Sequence, residues 1–578
     1  MFSSRLLLCA LLAAEIACQK KVAGPPPRYA VLRFENLSGD PSLDWTGRAA
    51  SEVLSVSLAG ALDGPVVPPM ALGRLQQSLG ARPASVPGVS SERQEAVVAG
   101  ATRLIYGYVE RSGGRFRITA SIEDLSSGKL LHTVSAVDSS PLAAVQKLAH
   151  DLSPATKPGP TSSEAALRFY TLALESPVAA GAGDLNEAIR LDPNFGAAWN
   201  VQVTLDLARG DRGAAADAIA AAHKQKLDPI SLARLDLEAA NMQPDQSARI
   251  DALRKFSLLS PGDTTLLRNL AEAETTAGRF ETAAADWRKL TVTFPEDPSA
   301  WNSLGYTLSY KGDYPAAMAA LQEYARIRPK DPNVYDSIGD VNYMFRKFAE
   351  AAASYMQASK IQPDFQRYSD LYKAAWARFN AGDKPGADAL FAQFRAAREK
   401  LSDQSIPLMA ADWLFRTGRK PEAVAALRVS LAANAPKALP AAVRSNAYSL
   451  LTIWDLLAHD RAQAAKDSLA MGPGIIDAPM LVARFAALPS APAEEWKSRA
   501  DRMIGPPLAP LRPLALGYAL MFDGQRAAAL PVWEMIVKER PATDFFTRAV
   551  YAHLQGKPPE RPLVPDANAF NQFLAVLE

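Results

Sequence analysis

From residue 164 to residue 560 the apolar positions fall three and four apart, the spacing of one helix face, and over 264–363 the pattern restarts every 34 residues. Pro261, Pro295, Pro329 and Pro363 mark that period. The stretches ending at the last three prolines align column by column. One reads Leu267, Leu270, Ala271, Gly278, Phe280, Ala283 and Trp287. The next reads Trp301, Leu304, Gly305, Gly312, Tyr314, Ala317 and Leu321, and the third Tyr335, Ile338, Gly339, Phe348, Ala351 and Tyr355. Trp301, Leu304 and Leu308 share a helix face, and the small Gly305 lets a second helix approach closely. Gly312-Asp313 breaks the first helix, because glycine accepts left-handed geometry cheaply. Pro315 suits the first turn of the next helix, whose buried stripe is Ala317, Leu321 and Tyr324. Pro329 ends that helix and Asp331-Pro332 opens the next unit. Each unit is a two-helix hairpin with an apolar face that it cannot bury alone, so neighbouring units must stack.

These columns resemble the tetratricopeptide repeat family, with its W-x-x-L-G, G-x-[FY]-x-x-A and terminal proline pattern. The likeness is strong over 264–363 and returns from Leu514 to Pro541 through Gly517, Gly524, Ala529 and Trp533. Weaker copies carry Trp199, Gly210, Ala215 and Ile219; Ala375, Gly382, Ala387 and Phe391; and Ala411, Gly418, Ala423 and Leu427. The expectation is roughly nine or ten helical hairpins over 164–560. The proline-dense stretch 471–512 is expected to kink or offset the stack. The resemblance implies an all-α right-handed superhelical solenoid, and residues 561–578 are left as a tail with a short helix.

Residues 28–152 ignore the period. Tyr29–Phe34 is a buried-strand run, Asn36–Asp40 a turn, and Trp45–Leu62 a helix with Ala49, Val53 and Val56 toward the core. Val66-Val67 is a short strand and 91–101 a second helix. Strict alternation follows: Leu104–Val109, the hairpin turn Ser112-Gly113-Gly114, then Arg115, Arg117, Thr119 and Ser121 interleaved with Phe116, Ile118, Ala120 and Ile122. Ser126–Gly128 turns into Leu130–Val137, and a helix from Pro141 to Leu152 closes the domain. The residues Ala30-Val31-Leu32, Phe34-Glu35-Asn36, Gly39-Asp40, Tyr106–Val109 and Asp124–Lys129 resemble the TolB amino-terminal-like domain, also seen in the flagellar FlgO family; Arg33 stands where that family usually has proline. The resemblance implies an α+β, non-enzymatic, envelope-associated module. Residues 153–163, with Pro154, Pro158, Gly159 and Pro160, read as a linker.

The amino terminus adds a destination. Arg5, the short apolar run Leu6–Ala14 and the switch to polarity at Cys18-Gln19-Lys20-Lys21 read as an export signal over 1–18. It resembles a bacterial lipoprotein leader in which Ile16-Ala17-Cys18 ends the lipobox and Cys18 takes the lipid; Glu15 departs from that pattern. Plain cleaved secretion and an uncleaved anchor or cytosolic start are the alternatives. Residues 19–27, ending in Pro25-Pro26-Pro27, form a stiff tether. Both cysteines, Cys9 and Cys18, lie in this stretch, so the rest of the chain holds neither a disulfide nor a cysteine metal site. With 63 Lys and Arg against 61 Asp and Glu, the net charge of +2 argues against nucleic acid as a partner and leaves a lipid anchor as the route to a membrane.

Chemistry is sparse. The five histidines lack metal-ligand spacing, and no phosphate loop, HExxH or GxSxG occurs. Gly181-Ala182-Gly183 reads as a flexible turn, Arg111, Arg115 and Arg117 as a solvated strand face, and Asp40 near Glu35 and Asp44 as turn and cap chemistry. No cofactor is expected. The repeats instead offer a surface. In the tetratricopeptide family the first helices line a concave groove, and the positions that this implies here are Asn302, Tyr306, Ser309 and Tyr310, then Asp336, Asp340 and Tyr343, then Tyr372, Trp376 and Phe379. Aromatic groups give contact area at low entropy cost, and Asn and Asp bond a peptide backbone. The other use of the same aromatics is packing between adjacent helices. The expected function is a non-enzymatic envelope scaffold that binds other proteins or peptides; the alternative is an envelope sensor that binds a small molecule or peptide through its first domain.

Overall fold

A computed structural model of the protein describes residues 27–67, 89–176, 181–261, 263–432, 439–472, 477–568, 571 and 573–577. The export signal, Cys18 and the tether up to residue 26 lie outside the described residues. The described residues gather into two compact units. One runs through Ala273 and adds Val292–Pro295; the other holds Glu274–Thr291 and Glu296 onward.

The first unit begins with a mixed sheet. Its strands are β1 (Tyr29–Val31), β2 (Glu35–Asn36), β3 (Val66–Val67), β4 (Arg103–Ser112), β5 (Arg115–Asp124) and β6 (Lys129–Asp138). Their order is β3-β1-β4-β5-β6, with β2 also pairing on β4. β1 lies parallel to β3 and β4, whereas β4, β5 and β6 form an antiparallel meander. Gly113 and Gly114 turn β4 into β5 with φ of 58° and 79°, the two positive values that a tight hairpin turn demands. The predicted strand Tyr29–Phe34 is shorter, because Phe34 N donates to Gly47 O rather than to a neighbouring strand. The helices are α1 (Trp45–Leu58), α2 (Val89–Val98) and α3 (Pro141–Leu152). α1 stops four residues before the predicted end. Ala49 and Val53 are buried as expected, but Val56 is 40% exposed, since it falls on the outer side of α1. Asp40 caps the short turn of 3₁₀ helix Pro41–Leu43 by accepting from Ser42 N at 2.9 Å.

The core does not stop at the linker. Residues 153–163 contain no helix or strand, yet Ala166, Leu167, Tyr170, Leu185 and Phe195 share one buried cluster with Val31, Val53 and Leu148. Gly181–Gly183 begins the helix Gly181–Leu191 instead of forming a flexible turn. Leu185 and Ala188 of that helix are buried, so packing fixes what glycine content alone left loose.

Twenty-three α-helices run from Glu164 to Leu554 among the described residues, and within each unit helices pair as hairpins, as Pro298–Lys311 does with Tyr314–Ile327. Helices before the four periodic prolines end at Leu259, Thr293, Ile327 and Ile361, two residues short of each proline. Gly312 ends the helix Pro298–Lys311 with φ 93°, accessible to glycine at little cost. Asp263, Asp297 and Asp331, again 34 apart, accept hydrogen bonds from the first-turn amides that follow them. Gly305 and Gly339 allow close packing: a β-carbon at Gly305 would lie 2.8 Å from Leu321, and one at Gly339 2.4 Å from the Tyr355 ring. The regular alternation breaks after 471, where the nine-residue helix Ala478–Ala486 packs against Arg512–Phe522, past the helix Ala493–Met503.

Candidate interaction surface

The repeat spacing places residues 34 apart side by side on successive first helices, and the predicted groove residues meet each other there. Tyr306 Oη donates to Asp340 Oδ2 at 2.7 Å, across one repeat. Tyr355 Oη donates to the other Asp340 oxygen at 2.9 Å. Lys373, one repeat further on, bonds Asp336 at 2.6 Å and Asp340 at 3.0 Å. Burial lowers the Lys373 ammonium, but Asp340 and Asp336 outweigh it and hold the group above its ordinary range. Burial raises the Asp340 carboxyl, and Lys373 opposes that shift. Asp370 is pushed up to about 9, first by burial and then by the Asp336 carboxylate. It is therefore neutral at pH 7 and able to donate to Asp336.

The aromatic members form a second cluster. Trp376 meets Trp413 edge-on at 4.6 Å, Trp413 stacks on Phe391 at 4.6 Å, and the Arg416 guanidinium lies 4.2 Å from the Trp376 ring centre. Tyr372 contacts Phe394 at 5.2 Å, and its hydroxyl is pushed up to about 12 by burial. Tyr343 packs on Phe348 and accepts a hydrogen bond from Asn380. Asp336, Asp340, Tyr343, Tyr372 and Trp376 are thus buried among the helices, and the Tyr306 hydroxyl is tied to Asp340. Asn302, Tyr310 and Phe379 keep partial exposure. The physical reason is the register: each side chain aimed at the groove also faces the equivalent position on the next first helix.

Sequence reasoning missed what lies against this face. Among the described residues the chain from Gln555 to Asn568 crosses it without helix or strand, and a 3₁₀ turn forms at Leu574–Leu577. Arg561, 8% exposed, donates to Ser309 O at 3.1 Å and Tyr310 O at 3.0 Å, and its guanidinium lies 4.4 Å from the Phe545 ring centre. Ala567 is buried in the cluster of Tyr372 and Trp376, with Val564 beside it. Asn568 accepts from Arg398 at 3.0 Å and donates to Gln366 O at 2.9 Å. Phe573 stacks on Tyr518 at 4.2 Å. The only advance signal was the proline-rich, arginine-bearing run Lys557–Asp566, which has no repeat columns to place it.

Among the described residues no group of three or more His, Cys, Asp or Glu side chains is arranged to hold a metal, and no helix is long and apolar enough to cross a membrane. Arg111, Arg115 and Arg117 are exposed on the strands.

Residues 251–332 match the tetratricopeptide repeat family model. Among solved structures, the chain is similar to a MamA protein at 20% identity, covering 30% of this chain and 94% of that one with a TM-score of 0.27. It is also similar to the C-terminal part of a repeat-containing protein from Cytophaga hutchinsonii (16% identity, 38% and 90% coverage, TM-score 0.32). A tetratricopeptide repeat protein from Parabacteroides merdae gives 15% identity, 51% and 99% coverage and a TM-score of 0.30. No curated protein matches the sequence.

Proposed function

We propose that this tetratricopeptide-repeat chain is a non-enzymatic scaffold of the bacterial cell envelope, exported and lipid-anchored through Cys18, that holds partner proteins or peptides on the faces of its first helices. The observation that carries the reading is the stacked repeat array itself: it repeats one hairpin and so presents a long surface rather than one pocket. Asn302, Tyr310 and Phe379 are the predicted residues that keep area for a partner, while Tyr306, Asp336, Asp340, Tyr343, Tyr372 and Trp376 hold that face in shape. The TolB-like resemblance of residues 28–152 and the leader supply the envelope part of the proposal.

Affinity capture from solubilised membranes tests it. The wild-type chain is expected to retain a partner that the Asn302→Ala/Phe379→Ala double variant loses while its circular dichroism stays unchanged. Equal capture by both sinks the binding face. For the anchor, mass spectrometry of the native protein is expected to find a lipid-modified Cys18 as the first residue; an intact, unmodified Met1 overturns that part alone.

A further inference from the structure

The tail across the repeat face resembles a bound ligand more than a continuation of the fold. Between Gly556 and Asn568 only Arg561 and Ala567 are buried, and Lys557 to Glu560 are exposed as a leash. Pro558, Pro559, Pro562 and Pro565 pre-set an extended backbone, so ordering the segment costs little conformational entropy. This is the economy of peptide segments that dock on aromatic-lined grooves.

The receiving site reads arginine. Ser309 O and Tyr310 O belong to the last turn of the helix Pro298–Lys311, where the partial negative charge of the helix end favours a cation. The rings of Tyr310 and Phe545 flank the guanidinium at 5.8 and 4.4 Å from their centres. Among the described residues the carboxylate bonded to Arg561 is Glu560, which arrives on the same segment. The receptor itself thus offers carbonyls and rings. Seven residues along, Gln366 O accepts from Asn568 out of a turn in which Gln366, Arg367 and Tyr368 all have positive φ, of 43°, 58° and 65°. Three such non-glycine residues in succession are costly, and strain of this kind is held at ligand clamps.

We infer that this face carries a receptor site for an extended, proline-rich, arginine-bearing segment of a partner protein, and that Arg561–Asn568 of the chain fills it as a displaceable stand-in. The inference rests on the scaffold reading and gives the partner its chemistry.

The test uses the full-length protein and a fluorescein-labelled peptide of residues 557–577 as probe. Arg561→Ala removes the guanidinium from the carbonyl-and-ring site and leaves that site open, so the variant is expected to bind the probe at least about tenfold more tightly than wild type. Adding Phe545→Ala is expected to abolish the gain. A folded Arg561→Ala protein that binds no better overturns the proposal. So does loss of the fold in Arg561→Ala, which would make the segment a permanent strap, and so does a gain that survives Phe545→Ala. A wild-type dimer in sedimentation that Arg561→Ala dissolves overturns it in favour of tail exchange between copies. None of these measurements needs a captured partner, and partner capture can fail while the probe binds, so the two readings fall separately.

Discussion

At the scale of single residues, the buried carboxylates set the sharpest expectation. Asp370 has a folded pKa of about 9, against roughly 4 for an unfolded aspartate. Between those values the folded chain keeps a proton that the unfolded chain gives up. Its contribution to stability is fully present below pH of about 4 and is lost as pH rises toward 9. Asp370→Asn keeps a neutral donor beside Asp336 and removes that proton. The variant is therefore expected to melt above wild type at pH 8 and to converge with it near pH 4. The slope removed is at most about 1.4 kcal/mol per pH unit, and thermal melts at several pH values read it. Parallel pH profiles for the two proteins would refute the assignment. Glycine gives a second expectation. Alanine in place of glycine gains about 1 kcal/mol of helix propensity, while overpacking costs about 1–3 kcal/mol. At Gly305 the nearest atoms are Cγ and Cδ2 of the buried Leu321, both 2.8 Å away, on a side chain that no hydrogen bond holds in place. At Gly339 they belong to the Tyr355 ring, fixed by its bond to Asp340. Gly339→Ala is expected to destabilise by about 1–2 kcal/mol and Gly305→Ala to stay near neutral. Urea midpoints decide, and the reverse ranking would mean that the ring moves more easily than the leucine.

At the scale of elements, the 34-residue columns located helices well because their causes are local. Proline, glycine and the apolar stripe act within one hairpin, so Leu304, Gly312, Ala317 and Pro329 fix where helices start, stop and face. The aspartate caps are equally local. Asp297 accepts from Ser299 and Ala300 amides at 3.0 and 3.2 Å, and Asp297→Ala is expected to cost about 1 kcal/mol. Hydrogen exchange in the first turn of Pro298–Lys311 should accelerate, and unchanged protection would show that the cap is redundant. What the columns left open is which face of a first helix is free. Tyr306 and Asp340 look like groove residues one repeat at a time, and only the stacking of repeats turns them toward each other. The tail was illegible for a stronger reason. Arg561 bonds a carbonyl 252 positions earlier, and no period or motif encodes such a pairing.

At the scale of the whole molecule, composition and period suggested a domain ending near residue 152 and a separate solenoid, but burial divides the chain elsewhere. In the first unit, α1 packs on the sheet and also receives Leu167 and Tyr170 from the first helix after the linker. Tyr170 is nearly fully buried, meets the Phe195 ring at 4.8 Å, and lies beside Glu52, whose carboxyl burial pushes up to about 7. A cut after Leu152 would leave Val53 and its neighbours facing water, and exposed apolar area of that kind costs roughly 25 cal/mol per Å². A fragment of residues 27–152 is therefore expected to unfold at clearly lower urea than a fragment of residues 27–273. It should also bind a hydrophobic dye under native conditions, as incompletely packed states do. Equal midpoints with no dye binding would show that the α+β domain is self-sufficient and that the first hairpins only rest on it. The expected difference instead makes the linker a bend inside one core, so the period marks where the repeats begin without marking where the first folding unit ends.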